Sequence, residues 1–257
     1  MAGQHPKIEI DAIVSCIERF RVERPHVHCL TNSVAQNFTA NVLLAAGATA
    51  SMTIAKEEIV AFVSMADALL INIGTMDQER SASARMAIDA ANNQQKPWAL
   101  DPVFVQGSKM RLELAASMLA QKPTLVRCNA SEAKALFGSS SADEIDAIAS
   151  KRPDLCVAQT GKSDNVIMGN RRCTIKNGHW LMDRITAMGC ALNALMVGFC
   201  AVEDDPLTAS ASALVLYGVA GELAGESADG PGTFAPLFLD ALTNVSTVEI
   251  KQRANLS

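Results

Sequence analysis

The stretch ITAMGCALNALMVGF, residues 185–199, runs small residues and a cysteine into an apolar pattern. Ala191, Leu192, Leu195, Met196 and Phe199 recur at helical spacing. Gly189 and Cys190 therefore fall where that helix begins. The first N–H groups of a helix have no intrahelical partner and aim outward, which suits an anion. A thiol there tends to ionise, so Cys190 is a candidate general base. Asp101 and Glu132 are carboxylates of the kind that hold Mg²⁺. Arg127, together with a helix start, suits phosphate. The combination points to phosphoryl transfer, which is mostly positioning and charge stabilisation. Neither G-x-x-x-x-G-K-[ST] nor G-x-G-x-x-G occurs, so a nucleotide would be held by some other loop.

These residues need a frame that brings them together. HVHCL (26–30), ATASMTI (48–54), ALLINIG (68–74), PWALDPV (97–103), TLVRCN (124–129) and DLCVAQTG (154–161) read as strands. Helical patterns separate them, and residues 164–178 read as an edge hairpin. FGSSSADE reads as a loop, and three helices finish the chain, from Gly189, Pro206 and Thr233. Alternating elements with continuously apolar strands predict an α/β fold: a parallel sheet covered by helices on both faces. In such sheets ligands bind at the carboxyl ends of the strands. Thr31-Asn32, Met52, Asn72, Gly74-Thr75, Asp101-Pro102, Arg127, Asn129 and Thr160-Gly161 all fall at that rim. Each alone is an ordinary turn, cap or core residue; Glu132, for instance, also suits the dipole of a helix first turn without a metal. His179 and Trp180 read as packing residues.

The 257 residues are 49% hydrophobic, enough for one large domain over 1–257. A net charge of −5 and the lack of a basic run argue against nucleic acid. The seven cysteines form no C-x-x-C pair, which predicts reduced thiols in a cytoplasmic protein. No signal peptide and no membrane span are expected.

The motifs VHCLTNSVAQNFTANVLLAAGATASM, LLINIGT, ALDPV, VRCNASE, TGKSD, NGHWLMDRITAMGC, CAVEDDP and GPGTFAPLFLDAL resemble, in order, those of the hydroxyethylthiazole kinases. They span roughly residues 25–245. The resemblance implies a ribokinase-like three-layer αβα fold with a mostly parallel sheet. It implies Mg·ATP-dependent phosphorylation of 4-methyl-5-(2-hydroxyethyl)thiazole, a salvage step toward thiamine, by a homotrimer with active sites near subunit boundaries. By position, Met52 and Asn32 match the thiazole pocket, Arg127 and Thr160 the ATP contacts, and Asp101 and Glu132 the carboxylates near Mg²⁺. Cys190 stands where related sugar kinases carry an aspartate base.

The family's usual loop is G-[TA]-G-C, and this chain has Ala187-Met188-Gly189-Cys190. Gly189 is expected to take the most demanding backbone conformation. Ala187 is expected close to the substrate hydroxyl, with Met188 folded away from the phosphates. Two other readings stand beside an active thiazole kinase. One is a kinase for another small heterocyclic alcohol of the hydroxymethylpyrimidine type, and the other a catalytically weakened trimer that binds thiazole or nucleotide.

Overall fold

A computed structural model describes residues 8–257. One eight-stranded sheet runs through it in the order β2-β1-β3-β4-β5-β6-β7-β8. The strands are β1 (His26–Leu30), β2 (Thr49–Ser51), β3 (Ala68–Asn72), β4 (Trp98–Asp101), β5 (Leu125–Asn129), β6 (Cys156–Thr160), β7 (Asp164–Met168) and β8 (Arg171–Ile175). The first six are parallel, and β7 and β8 form the antiparallel edge hairpin. Apolar residues on both faces of the parallel strands require cover on both sides. Val27, Cys29 and Leu70 join one apolar cluster, while Leu30, Leu69 and Ile71 join the other. That is the two-residue period of a pleated strand.

The first cluster is closed by α1 (Ile10–Glu23), α2 (Gln36–Ala46), α8 (Met188–Phe199), α9 (Pro206–Ser227), α10 (Pro231–Asn244) and α11 (Thr247–Arg253). The second is closed by α3 (Lys56–Met65), α4 (Gln78–Asn93), α5 (Lys109–Leu119), α6 (Ala130–Phe137) and α7 (Ala142–Ala149). Helix α9 is long and apolar enough to cross a membrane, but 83% of its apolar window is buried among these elements. It is a core helix.

Three expectations change. β2 is only Thr49–Ser51, because beyond Ser51 no strand residue pairs with it. The segment read as the loop FGSSSADE enters α7 at Ala142, where Ile145 and Ala149 bury an apolar stripe. Four helices, not three, finish the chain. The last, α11, starts at a capping box in which Ser246 and Glu249 exchange side-chain and backbone bonds.

Strand order decides where a site can form. From β1 the chain goes first to one side, to β2, and then to the other, to β3. The loops leaving β1 and β3 therefore diverge and open a crevice between them. Helix α9 is held against the far end of this rim by Asn177. Its Nδ2 donates to Glu222 Oε1 at 2.9 Å and to the Arg253 carbonyl at 2.8 Å. The approach is close: a Cβ on Gly218 would lie 2.6 Å from Asn177 Cβ and 2.8 Å from its carbonyl oxygen. Backbone cannot yield as a flexible side chain can, so Gly218→Ala should destabilise the fold by about 1–3 kcal/mol. Urea unfolding measures it, and an unchanged midpoint would contradict the contact.

Candidate functional site

The carboxyl ends of the parallel strands carry, in spatial order, Met52 beyond β2, Asn32 beyond β1, Asn72 on β3, Asp101 on β4, Arg127 and Asn129 on β5, and Thr160 on β6. Neighbouring strands lie about 4.8 Å apart. Along the rim, Met52 thus falls at one end and Thr160 at the other.

Its centre is a buried polar chain at the crevice between β1 and β3. Asn72 Nδ2 donates to Asp101 Oδ2 at 2.7 Å. Asn72 Oδ1 accepts from Asn32 Nδ2 at 3.1 Å and from the Gly74 N–H at 2.9 Å. Asn32 Nδ2 also reaches Cys190 Sγ at 3.6 Å, and its Oδ1 accepts the N–H groups of Val34 and Ala35. Asn32 therefore ties the turn into α2 to Asn72 and Cys190 with one side chain. Asn72, noted in the sequence only as a rim residue, is the hub of the network. What marks it in sequence is a polar residue at the end of a fully apolar strand.

Burial pushes the Asp101 carboxyl up to about 7, against the opposing pull of Arg127 and with some help from Glu132. Burial also pushes the Cys190 thiol up to about 12, and the charge of Asp101 acts in the same direction. The expected low-pKa thiol is therefore corrected: the helix start favours a thiolate, but loss of water and a neighbouring carboxylate win.

The first turn of α8 differs from expectation as well. Ala187, its N-cap, takes the left-handed conformation at φ 69° and offers no side-chain cap. Gly189 is already helical and is not the strained residue. Its lack of a side chain serves another purpose. A Cβ there would lie 2.6–2.8 Å from the Arg127 guanidinium. Arg127 thus lies against the uncapped helix start, and its Nε has no hydrogen-bond partner although buried. Met188 is buried, and Tyr217 Oη donates to its carbonyl at 2.9 Å. Met188 Sδ lies 3.6 Å from the same hydroxyl, and the residue lines the neighbouring cleft.

Beside this turn lies a cleft of about 590 Å³ lined by Arg127, Asn129, Thr160, Lys162, Lys176 and Gly189, among others. Thr160 Oγ1 is buried there without a partner. Asp164, unread in the sequence, also lines it and accepts the Gly161 N–H at 2.9 Å. Burial pushes its carboxyl up to about 6, and Arg127 opposes the shift. Trp180, read as a packing residue, is 64% exposed on the cleft wall. His179 does pack, its ring stacked 6.0 Å from Phe234.

The carboxylates differ in readiness for a cation. Asp101 Oδ1 is buried and unpartnered. Both oxygens of Glu132 already accept backbone N–H groups, Oε1 from Phe104 at 3.0 Å and Oε2 from Asn129 at 2.9 Å. Its side chain closes the α6 capping box. Among the described residues no three or more His, Cys, Asp or Glu converge as a metal cage. An orphaned carboxylate oxygen with a second carboxylate behind it fits Mg²⁺, which keeps several waters and rests on one or two carboxylates plus substrate phosphates. Of the expected site residues Arg127, Thr160 and Gly189 line the cleft, whereas Asn32, Met52, Asp101, Glu132, Ala187 and Cys190 do not; Met52 is half-buried at the β2 end of the rim.

Comparison with known proteins gives this arrangement its context. The profile of the hydroxyethylthiazole kinase family matches residues 17–248. A probable hydroxyethylthiazole kinase of Agrobacterium fabrum is 43% identical over 256 residues, covering 100% of this chain and 98% of its own. A hydroxyethylthiazole kinase of Granulibacter bethesdensis is 44% identical over 247 residues, covering 91% and 90%. The solved hydroxyethylthiazole kinase of Pyrococcus horikoshii OT3 superposes with a TM-score of 0.91 at 37% identity, covering 96% of this chain and 98% of its own. A ribokinase-like superfamily protein from Enterococcus faecalis V583 shares the fold, with a TM-score of 0.69 at 11% identity over 91% of this chain and 94% of its own. With this sheet order, these helical layers and full-length relatives above 40% identity, the chain belongs to the hydroxyethylthiazole kinase family and has a ribokinase-like αβα fold.

Proposed function

We propose that the chain transfers the γ-phosphoryl group of ATP to the hydroxyl of 4-methyl-5-(2-hydroxyethyl)thiazole. Family membership supports the substrates, and one observation supports how the rim divides between them. Arg127 and the uncapped start of α8 converge at one point of the rim, while Met52 lies several strands away. ATP phosphates belong at the first point, along the cleft with Thr160, Lys162 and Lys176. The heterocycle belongs toward Met52 and Asn32. Its hydroxyl then meets the γ-phosphorus beside Cys190, Ala187 and Gly189.

The hydroxyl oxygen forms a bond to phosphorus, the bond to the ADP oxygen breaks with ADP leaving along the cleft, and the hydroxyl proton passes to an oxygen of the transferred phosphoryl group and from there to water. Arg127, Gly189 N–H and Cys190 N–H face the charge on the transferred group. Cys190 keeps its own proton at neutral pH, so its part is to orient the hydroxyl by hydrogen bonding. In a loose transition state the proton leaves late, and such a site does not depend on a strong base. Asp101, with Glu132 behind it, would hold Mg²⁺ directly or through water. When bound, the ion neutralises phosphate charge. We also propose a homotrimer. Val34, Leu44, Val60 and Met65 are exposed on the elements around the edge strand β2, where a second copy would cover the thiazole end. Seven unpaired cysteines fit a cytoplasmic setting.

ADP release with Mg·ATP and the thiazole alcohol tests the activity, with a hydroxymethylpyrimidine as control. Turnover of the pyrimidine alone would overturn the assignment. Arg127→Ala should raise KM for ATP about tenfold or more and leave KM for the thiazole within about twofold, the pattern of lost binding to one ligand. Gly189→Ala, which displaces the same guanidinium, should do the same; equal effects on both substrates would indicate a folding role. The two central groups should separate. Asp101→Asn should cut kcat by about 10²-fold or more, as loss of an electrostatic stabiliser does, and flatten the Mg²⁺ titration. Cys190→Ala should cut kcat by less than about tenfold, below the ~10²–10⁴ typical of a general base. A larger loss in Cys190→Ala would restore it as the base.

A further inference from the structure

β2 is an edge strand of three residues, and its ladder to β1 ends at the pair His28 and Ser51. From Met52 onward the chain is placed by side chains reaching to it. Ser83 Oγ donates to the Ile54 carbonyl at 2.7 Å, and Thr53 Oγ1 bonds Glu58. The third reach comes from His28, which has no exposed surface. Its Nδ1 lies 2.7 Å from Ser51 Oγ and its Nε2 lies 3.1 Å from the Thr53 carbonyl. One imidazole therefore grips both neighbours of Met52.

The protons in this cluster can be assigned by elimination. A carbonyl only accepts, so Nε2 of His28 carries the hydrogen. The neutral ring then presents Nδ1 as an acceptor, and Ser51 Oγ–H donates to it. Ser51 Oγ has its lone pairs left for His26, whose Nε2 lies at 2.8 Å and must donate. With the His28 ring neutral, these three contacts are satisfied in one arrangement only. Burial holds the His28 imidazole down at about 4; the Thr53 carbonyl partly offsets this, His26 adds to it, and Glu58 on α3 opposes it. Phe62 of α3 covers the ring, its centroid 5.8 Å away. The imidazole is thus neutral throughout the physiological range.

We propose that His28 is a positioning residue for the thiazole end of the site: it clamps Ser51 and Thr53 and so fixes Met52 at the rim. This rests on the heterocycle lying beside Met52. A clamp on an edge segment sets the shape of an apolar wall without touching substrate. Its loss should therefore appear in thiazole binding and leave the phosphate end unaffected.

The test uses the full-length enzyme. His28→Phe keeps ring volume against Phe62 and removes both bonds. KM for the thiazole alcohol should rise about tenfold, the scale of a lost buried hydrogen bond, with KM for ATP within about twofold. His28→Gln, which keeps a donor for the Thr53 carbonyl, should recover part of the loss. If His28→Phe fails to fold, Ser51→Ala carries the test, with a rise of about threefold. Long-range ¹H–¹⁵N correlation of the wild-type imidazoles should show His28 as the Nε2–H tautomer, neutral still at pH 5. An Nδ1–H tautomer or an imidazolium at pH 7 would overturn the wiring. An unchanged thiazole KM in folded His28→Phe, with a raised KM in Met52→Ala, would overturn the clamp and leave the substrate placement standing. Unchanged KM in both variants would remove the heterocycle from Met52, and the clamp's role with it.

Discussion

Arg127 can stand against the first turn of α8 only because residue 189 has no side chain. With a Cβ less than 3 Å from three guanidinium atoms, either the arginine or the helix would have to move. Much else depends on this contact. It sets how far α8 slides along the sheet, because Arg127 is fixed in β5 by pairing with Ala158 of β6. Ala187 at the N-cap leaves the helix start uncapped by any side chain, so the N–H groups of the first turn have no internal use. The Arg127 contact puts a permanent cation where those N–H groups point. A helix dipole is worth a few tenths to ~2 kcal/mol to a nearby anion. An adjoining guanidinium makes the same spot far more selective for phosphate.

The same constraint raises the cost of the site. Asp101 is buried beside Arg127, with one oxygen bonded to Asn72 and the other bonded to nothing. Arg127 Nε and Thr160 Oγ1 are likewise buried without partners. Unpaired buried polar atoms cost about 1–3 kcal/mol each. Three of them along one rim are poor design for stability and good design for binding, since a polyphosphate with its cation can satisfy all three. The left-handed Ala187 adds a further cost of the order of 1 kcal/mol. The surrounding core offsets these costs. Helices α8 and α9 are buried over most of their length, and Tyr217 ties the α8 start to α9 through the Met188 carbonyl. Rigidity there keeps the unsatisfied groups from collapsing onto one another.

The scaffold was largely legible in the sequence because it rests on period and punctuation. Continuous apolar runs gave the parallel strands, and Asp101-Pro102 ended one of them as a turn should. Helix α7 was hidden because the run of small polar residues before it carries loop chemistry, and its two buried residues are too few to stand out. Within the site, residue types at the rim were readable, but their interactions were not. That Asn72 joins Asp101 to Asn32 depends on which strands are neighbours, and strand order is not a local property. The thiol of Cys190 was misjudged for a related reason. A helix start lowers a thiol pKa when water reaches it, and here α2, β1 and β3 pack against α8. Likewise Gly189 suggested a strained backbone, whereas its actual constraint comes from a side chain sixty-odd positions away in the chain.

What the rim does as a whole follows from its strand order. Six parallel strands present their ends side by side, so position along the rim is set by strand number, and each strand contributes one chemical character. At the β5–β6 end these characters are cationic and hydrogen-bonding; from β1 to β4 they are two amides and a carboxylate; beyond β2 the residue is the apolar Met52, held by buried hydroxyl and imidazole bonds. On the proposed placement, the substrate pair lies along this rim with its anionic partner at one end and the heterocycle at the other, and reaction between. About three strand spacings, roughly 14 Å, separate β2 from β4. A small thiazole alcohol reaching in from β2 does not cover that distance by itself. On that placement the acceptor is carried inward by what surrounds Met52, toward Asn32, whose amide bonds both Asn72 and Cys190. Precision in the walls of the β1–β2 end is thus a requirement of the chemistry in the middle, although no atom of those walls takes part in it.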